Sequence, residues 1–183
     1  ILTPDYESNE YYKSKGFNSE WWTHFADTNI HFPQQTEIKY TATTSRGKGG
    51  SQFLDKITEH SKGLIKNQNG WVGIEHSKFL CEGLMVLQNS RWGEITRRIF
   101  EGMACGKLVL TDRLSPNKHF EDLFKDRQEI IYYDNMVDCL NKINFYNKNK
   151  DLRETIAKQG QEKVLNNHTQ QHRVDKILKF RQI

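Results

Sequence analysis

Two short, unbroken apolar runs constrain the fold of this sequence more than any other feature. They are LMVLQN at residues 84–89 and KLVLT at residues 107–111. A strand that faces water on one side alternates apolar and polar residues, whereas a strand buried on both faces does not need to. The two runs therefore predict central strands of a parallel sheet that is covered on both sides.

Residues 37–133 alternate such strand-like runs with amphipathic, helix-like stretches. The three other predicted strands are EIKYTA (37–42), WVGIE (71–75) and EIIYYD (129–134). The intervening stretches predicted to be helical are residues 51–67, 77–83, 94–106 and 116–124. Repeated β-α units of this kind are typical of an α/β fold. We therefore expect a parallel five-stranded sheet with helices on both faces.

The carboxyl-terminal third has a helical spacing of apolar residues and no convincing strand. The predicted helices are residues 136–147, 151–167 and 170–180. Gly160 interrupts the second of them, and a helical glycine costs about 1 kcal/mol relative to alanine. We therefore expect a bend or a break at that position.

Residues 1–36 differ from the rest of the chain. They contain two of the three prolines and the Trp21–Trp22 pair, and only residues 5–16 have a helical pattern. Because the chain begins with Ile1 rather than Met, we expect a piece of a longer protein. In this interpretation residues 1–36 are the remnant of a preceding domain and the crossing into residues 37–183. A sixth strand of the sheet formed by residues 1–36 is the alternative.

The charge distribution argues against a dedicated nucleic-acid-binding protein. The chain has 27 basic and 23 acidic residues, and both signs are interspersed along it. Only the calculated pI of about 8.9 favours nucleic acid, and without a basic tract that indication is weak. No run approaches the ~18 apolar residues of a membrane span. The three scattered cysteines, Cys81, Cys105 and Cys139, fit reduced thiols, so we expect a cytoplasmic protein.

A glycine-rich loop after the first predicted strand is a candidate anion site. It runs from Ser45 to Gly50 in the sequence SRGKGG and leads directly into a predicted helix. Backbone N–H groups, a helix amino terminus and the cations Arg46 and Lys48 together suit a diphosphate, with Gly49 allowing close backbone approach. The loop matches neither standard phosphate-binding motif, and an exposed connection with solvated basic residues is the alternative.

The predicted helix after LMVLQN separates an apolar side from a charged side. At 100° per residue, one side carries Ile95, Ile99, Phe100 and Met103, and the opposite side carries Glu94, Arg97, Arg98 and Glu101. The charged residues form i, i+4 pairs that would suit any exposed helix. However, the helix starts beside the carboxyl end of a buried parallel strand, where open α/β sheets bind ligands.

Several other residues are weaker candidates. Glu75 and His76 lie at the end of the second predicted strand and are placed to line the same edge of the sheet. His168 and His172 lie four apart, but a third metal ligand is missing nearby, which favours a structural role. The tryptophans at positions 21, 22 and 71 could stack on a base or a sugar, although packing is more usual.

The stretch ITRRIFEGMACGKLVLTDR (95–113) also resembles a known family. With FEDLFKDRQEIIYYD and the terminal DLRETIAKQGQEKVLNNHTQQHRVDKIL, it looks like the carboxyl-terminal half of glycosyltransferases that have two Rossmann-like domains, the GT-B type. The nearest group is the spore-maturation-protein-like or glycosyl transferases family 1 group. Residues 11–33 resemble the stretch that leaves the amino-terminal domain of that family.

The resemblance implies a function and roles for individual residues. The carboxyl-terminal domain of such enzymes holds a nucleotide-diphosphate sugar, and the amino-terminal domain holds the acceptor, with no metal or other cofactor expected. Glu101 matches the glutamate that binds the ribose hydroxyls. Arg46 and Lys48 match the diphosphate contacts, and Thr96 lies where a glycine is common.

One departure from the family pattern concerns catalysis. Related enzymes often have a first glutamate eight positions before the ribose-binding one, and that position is Gly93 here. Glu94 is one residue away and is our candidate for the catalytic group, next to Arg97 and Arg98 as donor contacts. A non-catalytic nucleotide-binding or interaction module that kept the fold is the competing interpretation.

Overall fold

The computed structural model describes residues 1–46, 51–90, 94–114 and 119–180. Within these residues the strands are β1 (Leu2–Thr3), β2 (Glu20–Trp21), β3 (Tyr40–Arg46), β4 (Ile65–Asn69), β5 (Gly83–Leu87), β6 (Leu108–Asp112) and β7 (Ile131–Tyr133). The helices are α1 (Tyr6–Ser14), α2 (Gln52–His60), α3 (Gly73–Cys81), α4 (Arg97–Ala104), α5 (His119–Leu123), α6 (Met136–Lys148), α7 (Lys150–Asn167) and α8 (Gln170–Phe180).

The five-stranded sheet is parallel throughout and has the order β4-β3-β5-β6-β7. The predicted fold class and the central positions of LMVLQN and KLVLT are therefore confirmed. The chain leaves β3 towards one edge and β5 towards the other, so the strand order reverses between these two strands. A reversal of this kind opens a crevice at the carboxyl ends of the strands.

The central strands are buried on both faces, which explains their unbroken apolar runs. Val86 and Val109 belong to one core cluster, together with apolar residues of α3, α4 and α7. Met85, Leu108 and their neighbours belong to a second cluster, with residues of α2 and α6 on the other side of the sheet. Helices thus cover both faces, as predicted.

The prediction of a second strand at WVGIE (71–75) is wrong. The strand next to β3 is β4, whose sequence IKNQN has only one buried residue, Ile65. Because β4 is an edge strand with polar side chains, it carries no apolar pattern. The apolar residues Trp71, Val72 and Ile74 are exposed instead, and α3 begins at Gly73.

Other boundaries also differ from the predictions. The first strand of the sheet extends to Arg46, because the Thr-rich stretch after Tyr40 favours extended backbone. α2 ends at His60, several residues before the predicted end. The expected break at Gly160 is wrong, because α7 runs through it without interruption.

Residues 1–36 form α1, as predicted, and a small parallel pairing of β1 with β2. The alternative of a sixth strand in the main sheet is therefore wrong. The segment after β2 packs on α8, where Arg173 donates hydrogen bonds to the carbonyls of Thr23 (2.9 Å) and His24 (2.8 Å). Thr28 N–H donates to the side-chain oxygen of Gln170 (3.0 Å). The domain boundary at residue 36 stays a prediction.

None of the helices in the described residues combines the length and the apolar composition that a membrane span requires.

We expect Gly160→Ala to destabilise the protein, although the same change usually stabilises a helix. A Cβ atom at this position would collide with the backbone carbonyl oxygen of Glu129. Relief of such an overlap costs about 1–3 kcal/mol. Urea unfolding should show this loss, whereas alanine at the exposed neighbour Gln159 should change stability by less than about 0.5 kcal/mol. Equal stability of both variants would contradict the packing argument.

The buried imidazole of His168 predicts a pH dependence of stability. Burial, and secondarily Arg173, lowers the pKa of His168 to about 3, while an unfolded histidine titrates near pH ~6.5. Between these values the unfolded state binds the extra proton, so acidification removes stability. We expect the stability advantage of wild type over His168→Asn to shrink as pH falls from 7.5 to 4.5. A constant difference across that range in urea unfolding would contradict this prediction.

Candidate functional site

A cleft of about 700 Å³ lies at the carboxyl-terminal edge of the sheet. Three regions form its walls: the ends of β3 and β4, the loop and helix that follow β4, and the start of α4. The segment after β2 closes the remaining side. The lining residues are His24, Phe25, Asp27, Ile30, His31, Ser45, Gln68, Gly70, Trp71, Val72, Gly73, His76, Arg97, Arg98 and Glu101.

Glu101 is the most buried charged residue of the cleft, with 3% of its surface exposed. The alternative interpretation, in which the charged side of α4 is simply an exposed helix face, is therefore wrong for Glu101. The segment after β2 and the helix α3 cover the carboxylate, which the sequence pattern of α4 alone does not reveal. Its Oε1 forms an ion pair with Nε of Arg97 at 2.8 Å, while the Arg97 side chain is 68% exposed.

Two histidines face the Glu101 carboxylate. His31 Nε2 lies 3.7 Å from Oε1, and His76 Nδ1 lies 3.7 Å from Oε2. The other ring nitrogen of His76, Nε2, is 3.0 Å from the hydroxyl of Ser45 at the end of β3. Burial lowers the pKa of His76, although the Glu101 charge opposes the shift, so His76 is neutral at pH 7. The two rings meet edge to face, with centroids 5.9 Å apart.

Arg98 is a half-buried cation that lines the cleft. Its Nε donates to the side-chain oxygen of Gln88 at 2.9 Å, and Gln88 is fully buried just after β5. Burial lowers the pKa of Arg98, but a guanidinium remains protonated in proteins. The result is a fixed positive charge at the start of α4.

The start of α4 lies three residues later than predicted. Thr96 is the N-cap residue, with extended backbone and no side-chain capping bond. Its hydroxyl is buried without a hydrogen-bond partner among the described residues. The first N–H groups of α4 are therefore presented next to Arg97 and Arg98, an arrangement that favours an anion.

Glu94 precedes α4 and is not helical, which corrects the prediction that the helix begins there. It is exposed, and Ser90 donates its hydroxyl to Oε2 of Glu94 at 3.2 Å. Glu94 is not among the residues that line the cleft. Its catalytic role stays a prediction.

Only the first part of the predicted anion loop lies within the described residues. β3 carries the backbone of position 46 to the sheet edge that holds the cleft. Lys48 and Gly49 lie outside the described residues. Their roles, and that of the Arg46 side chain, stay predictions.

The weaker candidate residues differ in whether they line the cleft. His76 lines the cleft, while Glu75 is exposed and pairs with Lys78 at 3.0 Å. Trp71 lines the cleft with an edge-to-face contact to Phe79. Trp21 packs against Tyr6 instead.

The two histidines near the carboxyl terminus each make a hydrogen bond to a neighbouring side chain. His168 Nδ1 accepts from Arg173 at 2.9 Å. His172 Nδ1 lies 2.6 Å from the hydroxyl of Thr169. These contacts agree with the structural role favoured from the sequence.

Sequence reasoning missed the cleft wall formed by residues 24–31. It contributes His24, Asp27 and His31, which lie about 70 residues from α4 in sequence. No periodicity or motif links the two segments, because the contact is made by tertiary packing on α8. The resemblance of residues 11–33 to the interdomain stretch was the one available signal.

The fold and the cleft define a doubly wound α/β domain with a ligand site at its strand-order reversal. A family model described as glycosyl transferase-like matches residues 48–179. The chain therefore belongs to the glycosyl transferase-like family, and its fold is that of the carboxyl-terminal domain of GT-B glycosyltransferases. No curated protein matches the chain in sequence.

Solved structures agree with this assignment of the fold. HepE from Anabaena, in complex with UDP-glucose, has a TM-score of 0.73 and 12% identity over 98% of this chain and 63% of its own. Sucrose-phosphate synthase from Thermosynechococcus elongatus has a TM-score of 0.75 and 9% identity, covering 100% of this chain and 57% of its own. The chain thus spans less than two thirds of either protein.

A separate carboxyl-terminal domain is also similar. That domain of the group 1 glycosyl transferase LpcC from Francisella tularensis has a TM-score of 0.54 and 15% identity, covering 77% of this chain and 97% of its own.

Proposed function

We propose that this chain is the donor-binding part of a glycosyltransferase and that its cleft binds a nucleotide-diphosphate sugar. The observation that carries the proposal is the buried Glu101 carboxylate at the sheet edge, next to the cationic start of α4. A nucleoside diphosphate needs both features, since its ribose offers hydroxyl donors and its phosphates are anionic. The bound UDP-glucose of HepE supports this ligand class.

In this proposal Glu101 accepts hydrogen bonds from the two ribose hydroxyls. An ionised carboxylate has about four acceptor positions on its two oxygens, and the ion pair with Arg97 involves only Oε1. Both histidine contacts, at 3.7 Å, are too long for hydrogen bonds. Glu101 therefore keeps acceptor capacity in a site shielded from water, where hydrogen bonds to a charge are strongest.

The diphosphate is assigned to the cationic side of the cleft. Arg98 and the N–H groups after Thr96 would stabilise the charge that develops on the leaving nucleotide. Arg46, Lys48 and Gly49 would complete this contact from the loop after β3. These cations make a metal unnecessary for transfer, so the expected independence from metal stays our prediction.

Transfer itself would need the acceptor and an amino-terminal domain in the longer protein. Glu94 is the proposed catalytic group in place of the absent glutamate at Gly93. The competing proposal is a non-catalytic nucleotide-binding or interaction module, and the position of Glu94 outside the cleft lining favours it. Sugar turnover by the longer protein separates the two proposals. A cytoplasmic location stays a prediction.

We expect Glu101→Gln to weaken nucleotide binding by roughly tenfold or more, because hydrogen bonds to a charged group contribute about 1.5–3 kcal/mol. A thermal-shift panel of nucleoside diphosphates selects the nucleotide, and calorimetry then compares wild type with the variant. Glu162→Gln is the matched control, since Glu162 pairs with Lys158 on the exposed face of α7. Equal affinity of wild type and Glu101→Gln, with both folded, would reject the ribose contact.

We expect Lys48→Ala to weaken the binding of the diphosphate but not of the corresponding nucleoside. A lost charge-assisted contact to phosphate costs about 1.5–3 kcal/mol, which is again roughly tenfold or more. Lys56→Ala, on the exposed side of α2, should leave both affinities unchanged. An equal loss of affinity for the nucleoside and for the diphosphate would contradict a contact between Lys48 and the phosphates.

A further inference from the structure

His31 is a buried side chain without a hydrogen-bond partner. It is 6% exposed, and within the described part of the chain neither of its ring nitrogens makes a hydrogen bond. A neutral imidazole has one N–H donor and one acceptor nitrogen, and a protonated one has two donors, so each ring nitrogen can take a partner. Leaving a buried polar group unpaired costs about 1–3 kcal/mol, so this ring is expected to have a ligand.

The groups around His31 have the arrangement of a metal site. Ligand atoms of His31, His76 and Glu101 all lie within 4.8 Å of one another. The two histidine-to-carboxylate distances are 3.7 Å each. In a tetrahedral zinc site with bonds of about 2.0–2.1 Å, neighbouring ligand atoms are roughly 3.3 Å apart. The two 3.7 Å distances run to different oxygens of Glu101, so one bound ion would require the three ligand atoms, now within 4.8 Å of one another, to approach by up to roughly 1.5 Å.

The surroundings of His76 also suit a metal ligand. Its Nε2 lies 3.0 Å from the Ser45 hydroxyl, while its Nδ1 faces the carboxylate. When Nε2–H donates to Ser45, the lone pair is placed on Nδ1, towards the centre of the three groups. Metal-bound histidines are commonly held by such a hydrogen bond at the second ring nitrogen.

We propose that His31, His76 and Glu101 bind one divalent transition metal ion, with zinc as the best match to two imidazoles and a carboxylate. His31 Nε2, His76 Nδ1 and one Glu101 oxygen are the ligands. The fourth position opens to the cleft. The site uses the same Glu101 carboxylate as the proposed ribose contact, so the metal is proposed for the chain without bound nucleotide, and the ion has no role in the transfer reaction proposed above.

The test is calorimetric titration of the metal-stripped, full 183-residue chain with Zn²⁺ alone, in the absence of nucleotide. We expect one ion per chain. His31→Ala and His76→Ala should each weaken the affinity about 100-fold or more, and Ser45→Ala about tenfold, since loss of a supporting hydrogen bond costs 10–100-fold. His60→Ala, at the exposed end of α2, is the control for surface histidines and should bind like wild type.

A second measurement keeps the test decisive where a variant fails to fold. In histidine nitrogen NMR of wild type, Zn²⁺ should shift Nε2 of His31 and Nδ1 of His76, and the remaining five histidines should stay unchanged. Absence of stoichiometric binding would overturn the proposal, and so would wild-type affinity in folded His31→Ala. Neither result affects the ribose contact, which is measured with nucleotide and the Glu101→Gln variant.

Discussion

Burial of the central strands on both faces is the constraint on which the rest of this structure depends. β5 and β6 place alternate side chains into two separate cores, so each strand needs a helix layer above and below it. The two layers force the connections from β3 and β5 to leave on opposite sides of the sheet. The crevice between those connections is therefore a direct result of the hydrophobic pattern, and the cleft lies there.

The cleft is completed by a contact that is distant in sequence. Arg173 on α8 anchors the segment after β2 through backbone carbonyls, and this segment carries His31 over the carboxylate of Glu101. Burial of a charged side chain on α4 thus depends on a helix about 70 residues further along the chain. A change at the α8 contact would alter the electrostatics of the cleft without touching a lining residue.

This dependence explains which parts were predictable from the sequence. The sheet core was predictable because its signal is local: unbroken apolar runs for β5 and β6, and helical spacing for α6 to α8. β4 was not, because an edge strand with a single buried residue has no pattern to detect. Glu101 was identified by its place after a buried strand and by resemblance. Its burial and its two histidine neighbours could not be inferred, since they come from segments joined only by tertiary packing.

The stability of the cleft has to be supplied from elsewhere in the fold. A carboxylate removed from water costs several kcal/mol unless it is well paired. Glu101 has one ion pair with an exposed arginine and two histidines beyond hydrogen-bond distance. His31 and the Thr96 hydroxyl add further buried atoms that lack a hydrogen-bond partner among the residues that the structure describes. The apolar side of α4, with Ile99, Phe100 and Met103 in the core, holds these groups in place regardless of that cost. A ligand supplies hydrogen-bond partners to polar groups that are buried and unpaired. Because the packing of α4 already holds these groups rigidly, binding does not carry the cost of ordering their side chains.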